Sequence, residues 1–115
     1  MSWTVERIRE EMNKFVDVFN KTFECEVGYT SLPIYIDKRL VRCDGYLKHR
    51  KVCNITVGMM FTFGESFLVN NTDSIIIEKI RHEYLHYLMI LKYNKHIGHN
   101  DIFEMHCRKL GIVCT

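Results

Sequence analysis

The chain has 115 residues, 47% hydrophobic and 26% charged, with a net charge of +2. That is enough for one globular domain over residues 1–115 with a modest core, and too little charge to imply nucleic-acid binding by itself. No apolar run approaches the roughly 18 residues of a membrane span, and an N-terminus carrying Glu6, Glu10 and Glu11 does not read as a signal peptide.

Residues 3–24 read as an amphipathic helix. Val5, Ile8, Met12, Phe15, Phe19 and Phe23 recur at three- and four-residue steps, with charged and polar residues between them. Gly28 is the expected stop. From residue 31 the period changes. Leu32, Ile34 and Ile36 alternate with Pro33, Tyr35 and Asp37, as in a half-buried strand. Asp44-Gly45 marks a turn, Tyr46 to Val52 a second strand, and Cys53, Ile55 and Val57 a third that runs on towards Phe61. Short connections favour an antiparallel meander. Residues 64–74 read as a loop.

The middle section is basic. Lys38, Arg39, Arg42, Lys48, Arg50 and Lys51 stand against one acid, Asp44. Two readings are open. Exposed strands carry Lys and Arg to prevent edge pairing; alternatively Lys48, Arg50, Lys51 and Arg42 contact phosphates and give weak, sequence-independent DNA binding.

Asn70-Asn71-Thr72-Asp73-Ser74 is a cluster of N-cap residues, and Ile75 to Tyr93 follows without Gly or Pro. Ile76, Ile77, Ile80, Tyr84, Leu88 and Leu91 form a helical stripe. Off that stripe lies His82-Glu83-Tyr84-Leu85-His86, an H-E-x-x-H sequence. Residues four apart share a helix face, so His82 and His86 point two imidazoles at one place. Glu83 stands beside them, where a carboxylate can take a proton from a zinc-bound water. The spacing therefore supplies two ligands and a general base from one helical turn.

Asp101-Ile102-Phe103-Glu104 fits a capping box with Asp101 as N-cap, opening a last helix to about Leu110 with Gly111 beyond it. A catalytic zinc has three protein ligands and one open position. His96, His99 and His106 are the downstream candidates, and the position of His99, where the chain turns back, favours it. Five cysteines (Cys25, Cys43, Cys53, Cys107, Cys114) form no C-x-x-C pair, which suggests reduced thiols in an intracellular protein.

His82-Glu83-x-x-His86 followed by Gly98-His99-x-x-x-Phe103 and Gly111 resembles the SprT-like, Spartan-type family of zinc metalloproteases. Phe19-Asn20, Leu32-Pro33-Ile34, Gly45 and Asn54-Ile55-Thr56-Val57 extend the likeness upstream. The family carries its third ligand in a G-H-G-x-x-F segment, which implies His99. Asn100 replaces the second glycine of that segment, and Tyr87 stands where the family commonly has a small residue. The sequence ends at Thr115 without the zinc ribbon of many members and reads as a minimal domain.

The resemblance implies an α+β, zincin-like (minimal gluzincin-like) domain: N-terminal helix, small antiparallel sheet, motif helix, closing helix. One Zn2+ per chain would be held by His82, His86 and His99, with Glu83 as general base in hydrolysis of a protein or peptide substrate. Tyr84, Tyr87 and Tyr93 are equal candidates for oxyanion donor. The competing expectation is a zinc-stabilised binding module whose fourth position is closed by His96 or His106. The expected location is cytoplasmic, or nuclear or nucleoid-associated if DNA is the partner, with no membrane.

Overall fold

A computed structural model describes residues 2–113, and Cys114 lies outside them. Helix α1 (Val5–Phe23) begins where Thr4 Oγ1 accepts the Arg7 N–H at 3.2 Å. It ends at Glu24 in left-handed conformation (φ 51°), before Gly28. Asn20 makes that early exit work. Its side-chain amide accepts from Val27 N at 2.8 Å and donates to Val27 O at 2.9 Å, so the departing chain is hydrogen-bonded without a glycine.

Three strands follow: β1 (Ile34–Asp37), β2 (Gly45–Val52) and β3 (Ile55–Gly64). The β2–β3 hairpin is antiparallel, as expected. Its turn is Cys53-Asn54, both at positive φ (50° and 67°), the two-residue geometry that suits the twist of a hairpin. β1 departs from the expected meander. It pairs parallel to β3, with Ile34 opposite Phe61, so the order is β1-β3-β2 and the sheet is mixed. Residues 38–44 carry the chain across the sheet end to reach the far side of β3.

The expected loop after β3 contains a short helix, α2 (Glu65–Asn70), which buries Phe67 and Leu68. The motif helix α3 (Asp73–Tyr93) is capped by Thr72, and α4 (Asp101–Leu110) closes the fold before Gly111. The core joins Ile8, Met12, Phe15 and Phe19 of α1 to Ile76, Ile80, Tyr84 and Leu88 of α3 and Phe61 and Phe63 of β3. Burying each large apolar side chain contributes about 1.5–3 kcal/mol. Leu91, placed on the same stripe by its spacing, is 47% exposed. Trp3 ties the heads of the two long helices together: its indole N–H donates to Asp73 Oδ1 at 2.9 Å, and Arg7 reaches Asp73 Oδ2 at 2.9 Å. Among the described residues no helix is long and apolar enough to cross a membrane.

Candidate metal centre

α3 is buried on two sides. The stripe through Ile76, Ile80, Tyr84 and Leu88 faces the core, while His82, Glu83 and His86 are also buried, each 7% exposed, on the side towards β2 and α4. Across from them, the loop after α3 brings in His99. The His82 and His99 Nε2 atoms are 3.0 Å apart, and those of His86 and His99 are 3.1 Å apart. Among the described residues these three make the one cluster of side chains able to hold a metal ion.

The rings are held by specific contacts. His86 Nδ1–H donates to Ile97 O at 3.1 Å, which leaves the Nε2 lone pair aimed into the cluster. Phe103, fully buried in the first turn of α4, stacks on His86 at 4.4 Å and on His99 at 5.2 Å, and meets His82 edge-on at 5.2 Å. One phenyl ring thus supports all three imidazoles. Asn100 fixes the start of α4. Its Oδ1 accepts from Ile102 N and Phe103 N, both at 3.1 Å. The N-cap is therefore Asn100 and not Asp101. A side-chain carbonyl that takes two N–H groups at once outcompetes the next residue. Asp101 falls inside the first turn, where its charge favours the helix dipole. The residue that replaces a family glycine thus anchors the helix next to His99.

Electrostatics suit metal binding. Burial, reinforced by neighbouring His99, lowers the His82 pKa to about 4; burial, then His82, lowers that of His86 to about 3. Both rings stay neutral, as ligands must be, at neutral pH. Glu83 Oε2 lies 4.0 Å from His82 Nε2. Burial raises its pKa, opposed by Lys79, whose ammonium is 3.1 Å from the same oxygen. Lys79 was absent from the residues singled out by motif, although its four-residue spacing from Glu83 is visible in the sequence.

The other candidates lie elsewhere. His106 is fully buried, donating from Nδ1 to Ile102 O at 2.8 Å and accepting from Lys92 Nζ at 3.1 Å, with its ring 4.8 Å from Phe23. His96 stacks face to face on His49 at 4.3 Å and lies 5.6 Å from the His86 ring, so it is braced rather than loose. Tyr84 is stacked on Phe61 at 5.5 Å inside the core, Tyr87 packs edge-on against Phe61 at 5.8 Å, and Tyr93 sits 6.2 Å from His106. All four basic residues are exposed: Lys48, Arg50 and Lys51 lie on β2, the last two bordering one cleft, and Arg42 precedes the start of that strand.

The donor set fits zinc. Three imidazole nitrogens are a common catalytic set, and ligands 2.0–2.1 Å from a tetrahedral ion sit about 3.3 Å from one another, close to the 3.0 and 3.1 Å of the two pairs that include His99. A model of the SprT-like family matches residues 11–114. No curated protein and no solved structure matches the chain.

Proposed function

The chain belongs to the SprT-like family, and on that footing we propose that it is a zinc-dependent peptidase in which His82, His86 and His99 hold the metal and Glu83 is the general base. The observation that carries this reading is the convergence of three imidazoles beside a buried carboxylate, with His82 and His99 3.0 Å apart and Glu83 4.0 Å from His82. Zinc bound there supplies Lewis acidity and lowers the pKa of a water. Glu83 takes a proton from the attacking water and returns it to the leaving amine. Burial raises the carboxylate's proton affinity towards the working pH, and Lys79 fixes its orientation. Phe103 and Ile97 O keep the rings in place through that exchange.

The structural-zinc alternative needs a fourth protein ligand. His106 is held by Ile102 and Lys92, and His96 presents a ring face to His86. Neither belongs to the cluster, which supports the open site of an enzyme. Glu83→Gln tests the assignment. Zinc measured by mass spectrometry should stay near one ion per chain, because Glu83 is no ligand. Cleavage of a denatured protein should vanish, because an amide cannot accept the proton. Cleavage at the wild-type rate would remove Glu83 from the mechanism.

A further inference from the structure

The open edge of β2 passes the histidine cluster, and the ladder fixes which of its atoms face outward. Gly64 N donates to Asp44 O. Alternation along the antiparallel pair then turns the main-chain groups of Tyr46 and Lys48 towards β3, and those of Gly45 and Leu47 towards the open edge. The Leu47 main chain lies close to the Glu83 carboxylate. The edge therefore runs beside the general base. Strand and helix point the same way. Asp44 shares a cleft with Ser74 and His82 of α3, Leu47 reaches Glu83, and Thr56, the ladder partner of Lys51, donates to Asn94 O at 3.0 Å just past the helix end.

The two ends of this edge differ in charge. At the Asp44 end is a cleft of about 270 Å³ with Phe67 and Ile75 in its lining, His82 on one side and the carboxylates of Asp44 and Glu78. Lys79, also on its wall, is paired with Glu83. At the other end a cleft of about 520 Å³ is bordered by His49, Arg50, Lys51, Thr56, Lys95 and His96, with no acid among them. Its three full cations come from two separate segments, the hairpin and the loop after α3. His96, stacked between His49 and His86, joins this cleft to the metal centre.

Resting on the peptidase reading above, we propose that the substrates are peptides with acidic residues three to four positions N-terminal to the cleaved bond. A strand rises about 3.3 Å per residue, so Arg50 and Lys51 lie roughly 10–13 Å along the edge from Leu47 and Glu83. A peptide added to this edge in the stronger, antiparallel sense places its N-terminal side over those cations and its C-terminal side over Asp44 and Glu78. Acid on the first side is attracted, and acid on the second is repelled, so the site selects the position of the charge as well as its sign. A peptide fits better than a nucleic-acid strand on two counts. Its backbone can bond the outward groups of Gly45 and the Leu47 carbonyl, and a run of phosphates crossing the cluster would meet two carboxylates.

The test is binding to the zinc-loaded Glu83→Gln protein, followed by fluorescence anisotropy. The probes are three labelled peptides of identical frame, with three Glu in the N-terminal half, three Gln there, or three Glu in the C-terminal half, and a labelled oligo-dT. The N-terminal Glu peptide should bind about fivefold tighter than the Gln peptide, the sum expected of two or three exposed ion pairs. The C-terminal Glu peptide should bind more weakly than the Gln peptide. The preference should disappear in Arg50→Ala/Lys51→Ala and persist in Lys14→Ala/Lys21→Ala, which removes the same charge from α1. Equal binding of the three peptides, preference for C-terminal acid, a preference that survives loss of Arg50 and Lys51, or tighter binding of oligo-dT through those residues would each overturn the proposal. Cleavage by the wild-type chain separates the two readings. Preference in binding without any cleavage would sink the peptidase and keep the cleft; equal cleavage and equal binding of all three would do the reverse.

Discussion

Gly58→Ala probes how this chain accommodates a tyrosine on the motif helix where its family commonly has a small residue. Gly58 faces His49 where the hairpin register slips between Lys48 and His49. A Cβ at Gly58 would lie 2.6 and 2.7 Å from ring carbons of Tyr87 and 3.2 Å from Leu32 Cδ1. Carbon atoms settle at about 3.5–4.0 Å, so one partner must retreat by nearly 1 Å. The Leu32 tip can rotate. The Tyr87 ring cannot retreat freely, because it lies against Phe61 at 5.8 Å and Tyr84 at 5.7 Å, and its hydroxyl accepts from Thr30 Oγ1 at 3.4 Å. Overpacking of this kind costs about 1–3 kcal/mol. With an unfolding entropy near 2.1 cal/mol/K per residue, that lowers Tm by about 4–12 °C in a chain of this length. In a Tyr87→Ala background the obstacle is gone, and the same substitution should be neutral or slightly stabilising, since Ala loses less backbone entropy than Gly. Urea unfolding of wild type, both single variants and the double variant gives the coupling, expected at about 1–3 kcal/mol. An equal cost of Gly58→Ala in both backgrounds would refute the contact argument.

Three further outcomes follow from the site. His99→Ala should strip zinc on dialysis, whereas His96→Ala and His106→Ala should retain it; metal analysis decides, and loss from His106→Ala alone would overturn the ligand set. Asn100→Ala removes an acceptor of two N–H groups and should cost about 1 kcal/mol in chemical unfolding, with Asn100→Gly costing only a few tenths; the reverse order would deny the cap its role. Burial first, then Lys92 and Lys109, hold the His106 pKa below its ordinary 6.5, against the pull of Ile102 O. A folded-state pKa below the unfolded one means stability is present above about pH 6.5 and drains away as the pH falls beneath it. Unfolding midpoints at pH 7.5 and 5.5 should therefore diverge more for wild type than for His106→Gln, and parallel changes would clear His106 of that role.

Much of this was legible because helices write their burial into local spacing. The stripe from Ile8 to Phe19 and the one from Ile76 to Leu88 predict helices whose buried faces the structure reproduces. His82 and His86 could be paired for the same reason. His99 could not be placed by spacing. It reaches the cluster through a loop; its place where the chain turns back favoured it only slightly over the other two candidates, and likeness to a family added the stronger argument. The parallel pairing of β1 was hidden too, because a strand's partner is chosen by tertiary packing and the sequence shows only its own alternation. The hairpin turn carries no glycine, and Cys53 at φ 50° adopts a conformation its residue type gives no hint of. The brace between His49 and His96 joins residues remote in sequence, and nothing local announces it.

Trp3, the one tryptophan of the chain, is 1% exposed and held between Asp73 Oδ1 and the Arg7 guanidinium, which lies 3.8 Å above its ring. Its emission therefore reports whether α1 is seated on the head of α3. Asp73 precedes His82 by nine residues, about 13 Å along the helix axis, so the indole contacts none of the ligands. The chain thus carries an internal fluorescent gauge of its frame, distinct from any readout of metal bound at the histidine cluster. A variant that merely loses zinc and one that loses its fold give different signals in the same unlabelled sample.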